Sequence, residues 1–194
     1  MKALKLNILR HALAVRALGM LLAIAQLAAL LCGCAAATGT PSARDVSGAL
    51  AAPFSANVAV TCRGNEYAAA IVKTGDGVNV TMNSPALFKG MEISFSNENA
   101  GSAVVTYNGL TFTLDASRLP AAAAIKALIS ALDGATVPEE LSVEHGETGE
   151  ILLRGGDFTV YASKDEVNGG FALNRIEIPE QELTAVFSDF SPAV

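Results

Sequence analysis

The sequence predicts an α+β fold that is mostly β: a curved antiparallel sheet of about ten strands, or half-open barrel, covering one main amphipathic helix. Three observations predict this fold class. From residue 54 onward, short runs alternate apolar and polar residues with a period of two. Turn signals rich in glycine and asparagine separate these runs. One segment, residues 120–132, has a helical period instead.

The first predicted strand begins at Phe54 and places alternate residues on one apolar face. Similar runs follow at residues 66–73, 78–82, 91–95, 103–107, 110–114, 141–143, 151–153, 158–162, 171–178 and 183–187. Asn108-Gly109 separates two of them and favours a tight hairpin, because both residues tolerate positive φ. Gly155-Gly156 predicts a bulge or break between later strands.

Four large apolar residues in the segment 120–132 recur at i, i+3, i+4 and i+7, which places them in one stripe on a helix. These residues are Ile125, Leu128, Ile129 and Leu132. Pro120 suits the first turn of this helix, and Gly134 suits its end. The stripe has to be buried, and the apolar face of the sheet is the large surface available to cover it.

Charge is distributed unevenly along the chain. Residues 1–34 contain four of the thirteen lysines and arginines and no acidic residue. The remaining residues therefore have nine basic against nineteen acidic side chains, a net charge of −10. Such a balance excludes nucleic acid as a partner, because phosphate neutralisation needs clustered cations. It also argues against membrane attachment through a polybasic surface.

The N-terminal residues 1–33 have the pattern of a lipoprotein signal peptide, with basic residues first and then an apolar stretch from Ala17 to Leu31. Leu31-Cys32-Gly33-Cys34 resembles the bacterial lipobox, which implies that Cys34 receives the lipid and becomes the mature N-terminus. Two alternatives stay open, an ordinary signal peptide cut near residues 35–37 and an uncleaved membrane anchor. Each places the domain outside the cytoplasm, and the lipobox implies a lipid anchor in the bacterial cell membrane.

Residues 34–53 consist largely of Ala, Thr, Gly, Ser and Pro and are interpreted as a flexible tether. A single helical turn around Val46 to Leu50 is the alternative there. The folded domain is predicted over residues 54–190, after this tether.

The order of elements in residues 50–190 resembles the LolA-like and LppX-like half-open barrels. Six strands precede one helix, more strands follow, and the segment Pro179–Phe187 closes the pattern. The chain also resembles short uncharacterised lipoproteins of Gram-positive bacteria. The resemblance implies an apolar cleft between sheet and helix that holds acyl chains, without transferring any functional residue.

The sequence gives no pattern for catalysis, a metal or a cofactor. His145 is the only histidine after the signal segment, and no GxSxG motif precedes a helix. Glu144, Glu147 and Glu150 surround His145, and we interpret this cluster as a solvated hairpin tip rather than a cation site. Cys62 lies on an apolar face without a second cysteine nearby, which favours a buried inert thiol.

The apolar interior is therefore the main candidate for function, as a site for a lipid or other apolar ligand. The candidate ligand contacts are the inward residues Val58, Val80, Met82, Ile93, Phe95, Phe112, Ile125, Leu128, Ile129 and Leu132. The same residues would form a packed core, and sequence does not separate the two. Two alternatives remain: an interaction module showing an acidic surface to a cell-envelope partner, and, less favoured, a metal-assisted hydrolase using His145.

Overall fold

Eleven antiparallel strands form one open, curved sheet in the computed structural model, which describes residues 42–97, 102–146, 149–165 and 170–192. The strands are β1 Phe54–Cys62, β2 Asn65–Lys73, β3 Gly77–Ser84, β4 Glu92–Ser96, β5 Ser102–Tyr107, β6 Leu110–Asp115, β7 Ser142–His145, β8 Ile151–Arg154, β9 Thr159–Lys164, β10 Phe171–Ile178 and β11 Leu183–Pro192. The predicted fold class is confirmed. The predicted signal peptide and Cys34 lie outside the described residues.

The strand order is β6-β5-β4-β3-β2-β1-β11-β10-β9-β8-β7. Strands that are consecutive in sequence therefore pair with each other, except β6 and β7. At the middle of the sheet β1 pairs with β11, and the register runs from Phe54 opposite Pro192 to Cys62 opposite Leu183. Strands β6 and β7 form the two edges.

One face of the sheet is buried, as the two-residue period predicts. Its residues lie directly opposite one another across neighbouring strands, as in the row Ala56, Ile71, Val80, Ile93 and Val105. Each member of this row is at least 95% buried. Because opposed side chains on one face contact each other, the row forms a continuous apolar strip across five strands.

Helix α2, Pro120–Gly134, covers this inner face; the 3-10 turn Ala116–Arg118 precedes it. Pro120 occupies the first turn of the helix, as predicted. The predicted stripe is buried, with Ile125 and Leu128 fully enclosed. Three more 3-10 turns connect other elements, at Ala86–Phe88, Pro138–Glu140 and Pro179–Gln181.

A second helix, α1 at Ala43–Ala51, occupies part of the segment predicted to be a flexible tether, so that interpretation is wrong for residues 43–51. Ser42 and Asp45 form a reciprocal capping box at its start. Val46 and Leu50 are buried in the domain core. The folded domain therefore begins before residue 54, and the alanines of this segment are helix formers here.

The segment Gly155-Gly156 belongs to a hairpin turn rather than a bulge. Strands β8 and β9 pair across it, with Arg154 opposite Thr159. The Gly155 N–H donates to the carbonyl oxygen of Phe158 at 3.0 Å, which closes the turn.

Candidate functional site

The predicted ligand contacts divide into a buried majority and two exceptions. Eight are at least 91% buried within one apolar cluster: Val58, Val80, Met82, Ile93, Ile125, Leu128, Ile129 and Leu132. Phe95 is partly buried against that cluster. Sheet and helix are thus in direct contact over most of the predicted cleft, and the role of these residues as ligand contacts stays a prediction.

Phe112 differs from its predicted burial. It lies opposite the fully buried Val105 and hence on the same inner face, but 45% of its surface is exposed. Its strand, β6, is an edge strand on which no residue is fully buried. The period of two assigns the face correctly, but it does not reveal where along the sheet the helix ceases to cover that face.

A cleft of about 300 Å³ lies beside the solvent-facing side of α2. One wall is the helix itself, and the other comes from the β8–β9 turn and the end of β10. The lining residues are Ser117, Ala123, Lys126, Ala127, Ser130, Ala131, Asp157, Phe158, Ile178 and Gln181. Its floor is made mainly of small alanine side chains, which leave room next to the helix.

A second cleft of about 310 Å³ adjoins the first at the start of α2. It shares Ser117, Ala123 and Gln181 with the first cleft. Its further lining residues come from the β1–β2 hairpin and the first turn of the helix: Cys62, Arg63, Asn65, Tyr67, Pro120 and Ala124. We call the two adjoining clefts the helix groove. Each lies at the lower end of the size range of small-molecule sites.

The ring of Phe158 forms a wall of the helix groove, and two glycines make its position possible. A Cβ atom on Gly155 would lie 2.5 Å from ring atoms Cε1 and Cζ of Phe158. A Cβ on Gly134, at the end of α2, would lie 2.8 Å from Cε1. Both distances are shorter than van der Waals contact, so the ring packs directly onto backbone at both sites.

Polar groups at the helix groove include two cations and one acid. Arg63 and Lys126 line it together with Asp157. Two cations at one groove differ from the rest of the domain, because the residues after 34 carry a net charge of −10. The Cys62 thiol lies 3.7 Å from the carbonyl oxygen of Gln181. Burial raises the pKa of the Tyr67 phenol in the same region, and the nearby Cys62 raises it further.

Other depressions also lie near the sheet. One, of about 160 Å³, borders an adjacent side of α2 and includes Phe95 and Ile129 from the predicted set. Another, of about 390 Å³, includes outer-face residues and is rich in hydroxyl, amide and carboxylate groups. Ser94 Oγ donates to Asn79 Oδ1 there at 2.7 Å.

An aromatic and charged cluster joins β9 to β10. The guanidinium carbon of Arg175 lies 4.0 Å from the ring centroid of Tyr161. The Tyr161 hydroxyl donates to Glu177 Oε2 at 2.8 Å, and Arg175 Nε lies 3.3 Å from Glu177 Oε1. Burial and the Glu177 carboxylate raise the pKa of the Tyr161 phenol. The three side chains therefore contact one another, and these contacts link β9 to β10.

The described residues contain no group of three or more His, Cys, Asp or Glu side chains that could hold a metal ion. Glu147, a member of the cluster around His145, lies outside the described residues. Glu144 forms an ion pair with Arg154 at 3.0 Å across β7 and β8. Within the described part of the chain, no helix is both long and apolar enough to cross a bilayer.

No protein-family model matches the sequence, and no curated protein matches it. Solved structures with a similar fold include an uncharacterised conserved protein from Thermus thermophilus, at 12% identity and a TM-score of 0.44, covering 77% of this chain and 83% of that one. A LolA superfamily protein from Nitrosomonas europaea has 12% identity and a TM-score of 0.41, covering 80% and 95%. A DUF1329 family protein from Desulfovibrio piger has 10% identity and a TM-score of 0.41, covering 78% and 92%.

The helix groove consists of residues that the apolar periodicity does not select as ligand contacts. Periodicity identifies large apolar residues, whereas the groove floor is formed by Ala123 and Ala127 on the other side of the same helix. One signal was present in the sequence. Gly155 precedes Phe158 by three residues, and a glycine permits close approach of another group to the backbone.

Proposed function

We propose that this protein is a lipid-anchored, extracytoplasmic, non-enzymatic lipoprotein that binds a lipid or other apolar ligand along the helix groove. The observation that carries the proposal is the groove itself, two adjoining clefts with Ala, Phe and Ile side chains along α2. Apolar walls with a few polar groups are typical of sites for apolar ligands.

The polar groups favour a ligand with an acidic head group. Arg63 and Lys126 line the groove against the single acid Asp157, in a domain with an excess of acidic residues. An acyl chain would lie against Ala127 and Phe158, and its carboxylate or phosphate would be close to a cation. The lipobox-like residues Leu31 to Cys34 support the anchor, which would keep the groove near lipid.

Binding of a fluorescent fatty-acid analogue to the purified full-length chain tests this function. Ala127→Phe places a ring in the groove and is expected to weaken binding about tenfold or more. Ala59→Phe is the matched control, because Ala59 is an exposed alanine on the outer face of β1. Equal binding by both variants and the parent chain would rule the groove out. Extraction of the purified protein, followed by mass spectrometry, identifies any lipid that it carries from the cell.

A second function is favoured by the polar depression on the outer face of the sheet. Its volume of about 390 Å³ and its lining by Asp76, Asn79, Ser94 and Thr113 suit a hydroxyl-rich envelope polymer. Co-sedimentation with purified cell-wall polysaccharide tests this alternative. Binding that Asn79→Ala abolishes, with Ala127→Phe as the control, would favour it over the lipid site.

A further inference from the structure

Strand β6 is an edge strand with an unusual exposure of large apolar side chains. It has one partner, β5, in the strand order. Leu110 is 70% exposed and Phe112 is 45% exposed. An exposed apolar edge of this kind is a template for pairing with another strand, because its outward N–H and C=O groups have no ladder partner.

Strand β7, at the opposite edge of the sheet, is protected against pairing, so the two edges differ. Strand β7 has four residues, Ser142–His145, and one of them is the charged Glu144. Short length and charged side chains are the usual means of blocking edge pairing. Strand β6 has six residues, and its single charged residue, Asp115, stands at its end.

The hairpin turn determines which backbone groups of β6 point outward. Asn108 and Gly109 both have positive φ, 51° and 79°, as a two-residue hairpin loop requires. Tyr107 and Leu110 flank this loop and form a hydrogen-bonded pair, and such pairs alternate along an antiparallel ladder. The N–H and C=O groups of Thr111 and Thr113 therefore point away from β5.

We propose that β6 pairs with β6 of a second copy of this chain, antiparallel about a two-fold axis at Phe112. In this register Thr111 of each chain exchanges hydrogen bonds with Thr113 of the other, so the outward groups are the ones satisfied. Phe112 then faces its own copy in a non-hydrogen-bonded pair, where side chains approach closely. Leu110 faces Leu114 on the same inner face.

The side chains of β6 are self-complementary in this register. Aromatic faces aromatic, leucine faces leucine and threonine faces threonine, and all are favourable cross-strand pairs. No charged residue opposes a like charge, because Asp115 meets Gly109 of the other chain. A two-fold axis requires such self-complementarity, whereas an unrelated peptide partner does not. A single strand edge is a small interface, so dimerisation is expected to depend on protein concentration.

Disulfide cross-linking tests the register directly. Cysteines in a non-hydrogen-bonded antiparallel pair are close enough to bridge. The full-length Phe112→Cys variant should therefore form a disulfide-linked dimer under mild oxidation, well above the background from the native cysteines of the parent chain. Val104→Cys is the matched control, because Val104 is 41% exposed but lies on β5, one strand from the edge. Equal cross-linking of both variants, or none above the parent chain, would overturn the proposed pairing.

A second variant tests the backbone contacts. Thr113→Pro removes an outward N–H without removing a bond to β5, so the monomer should stay folded. Sedimentation velocity of the purified full-length chain should show a concentration-dependent dimer, reduced about tenfold or more in this variant. Circular dichroism verifies its fold. A parent chain that remains monomeric, or a dimer that Thr113→Pro leaves unchanged, would contradict pairing through β6.

Discussion

Lys73 Nζ donates a 2.9 Å hydrogen bond to the carbonyl oxygen of Leu50, which connects β2 to the last turn of α1. The same ammonium lies 3.8 Å from Asp133 Oδ1 at the end of α2. One side chain therefore contacts both helices and the sheet. The Lys73 side chain is 11% exposed and burial lowers its pKa, whereas the Asp133 side chain is 62% exposed.

The hydrogen bond to Leu50 is expected to contribute more stability than the ion pair with Asp133. Lys73→Ala should lower the free energy of unfolding by about 1.5–3 kcal/mol, the range for a hydrogen bond that involves a charged group. Asp133→Asn should change it by less than about 1 kcal/mol, because exposed ion pairs are screened by solvent. Urea denaturation of both variants measures the two values. A larger loss of stability for Asp133→Asn than for Lys73→Ala would show that the ion pair contributes more than the hydrogen bond.

Gly134 and Phe158 are expected to be energetically coupled. In the parent chain, Gly134→Ala should be destabilising, because the new Cβ meets the ring at 2.8 Å. In a Phe158→Ala background the ring is absent, and the same change should stabilise the helix by about 0.5–1 kcal/mol. Thermal or urea unfolding of the four chains gives the coupling energy. Additive effects would show that the ring does not rest on Gly134.

Ile93 and Phe112 share one face of the sheet but should differ greatly in their contributions to stability. Ile93 is fully buried, so Ile93→Ala should destabilise the protein by about 2–5 kcal/mol. Phe112→Ser should change the stability by less than about 1 kcal/mol, as expected for an exposed side chain. Unfolding is measured at low protein concentration, so that association does not contribute. Similar losses of stability for the two variants would mean that the Phe112 side chain is buried in the folded protein.

Tyr161 should ionise late in an alkaline titration, because burial and Glu177 raise the pKa of its phenol. A raised pKa in the folded state contributes stability below the ordinary value of 10.0, and this contribution is lost as pH rises through the folded value. The protein has no tryptophan, so tyrosinate absorbance can be followed directly. Tyr161→Phe should reduce the increase in tyrosinate absorbance at the high-pH end of the titration. A reduction at the low-pH end instead would contradict a raised pKa for the Tyr161 phenol.

Cys34 is expected to carry the lipid anchor. Metabolic labelling with a clickable palmitate analogue should mark the parent chain and the Cys32→Ser variant, because the lipobox leaves Cys32 in the removed peptide. Cys34→Ser should lose the label and accumulate with its signal peptide attached. Label retained in Cys34→Ser would contradict acylation at Cys34. An unacylated mature chain that begins after residue 34 would support an ordinary signal peptide.

The sequence predicts the sheet well because most strands bury one face, and burial of one face produces the period of two. Both Asn108-Gly109 and the Ile125 to Leu132 stripe predict local structure correctly, since each is a complete local signal. Helix α1 is predicted only as an alternative, and only as a single turn, because Val46 and Leu50 are its only large buried side chains and the residues around them are small. Contact with Lys73, distant in sequence, helps to hold that helix in place.

The candidate site is predicted less well, for a physical reason. Apolar periodicity identifies residues that leave water, and in this fold those residues contact one another. A groove instead depends on where side chains are too small to fill the surface, as at Ala127, and on how a loop places a ring such as Phe158. Neither property has a period in the sequence.

The pairing of β1 with β11 has a consequence for how the protein reaches its structure. The middle of the sheet joins the first strand to the last one described, so it is formed by contacts of very high sequence separation. Such contacts carry a large loop-closure entropy and slow folding. A chain leaving the ribosome cannot complete its sheet until β11 has emerged. The two halves of the sheet, β1 to β6 and β7 to β11, therefore join only after nearly all of the described chain has been synthesised.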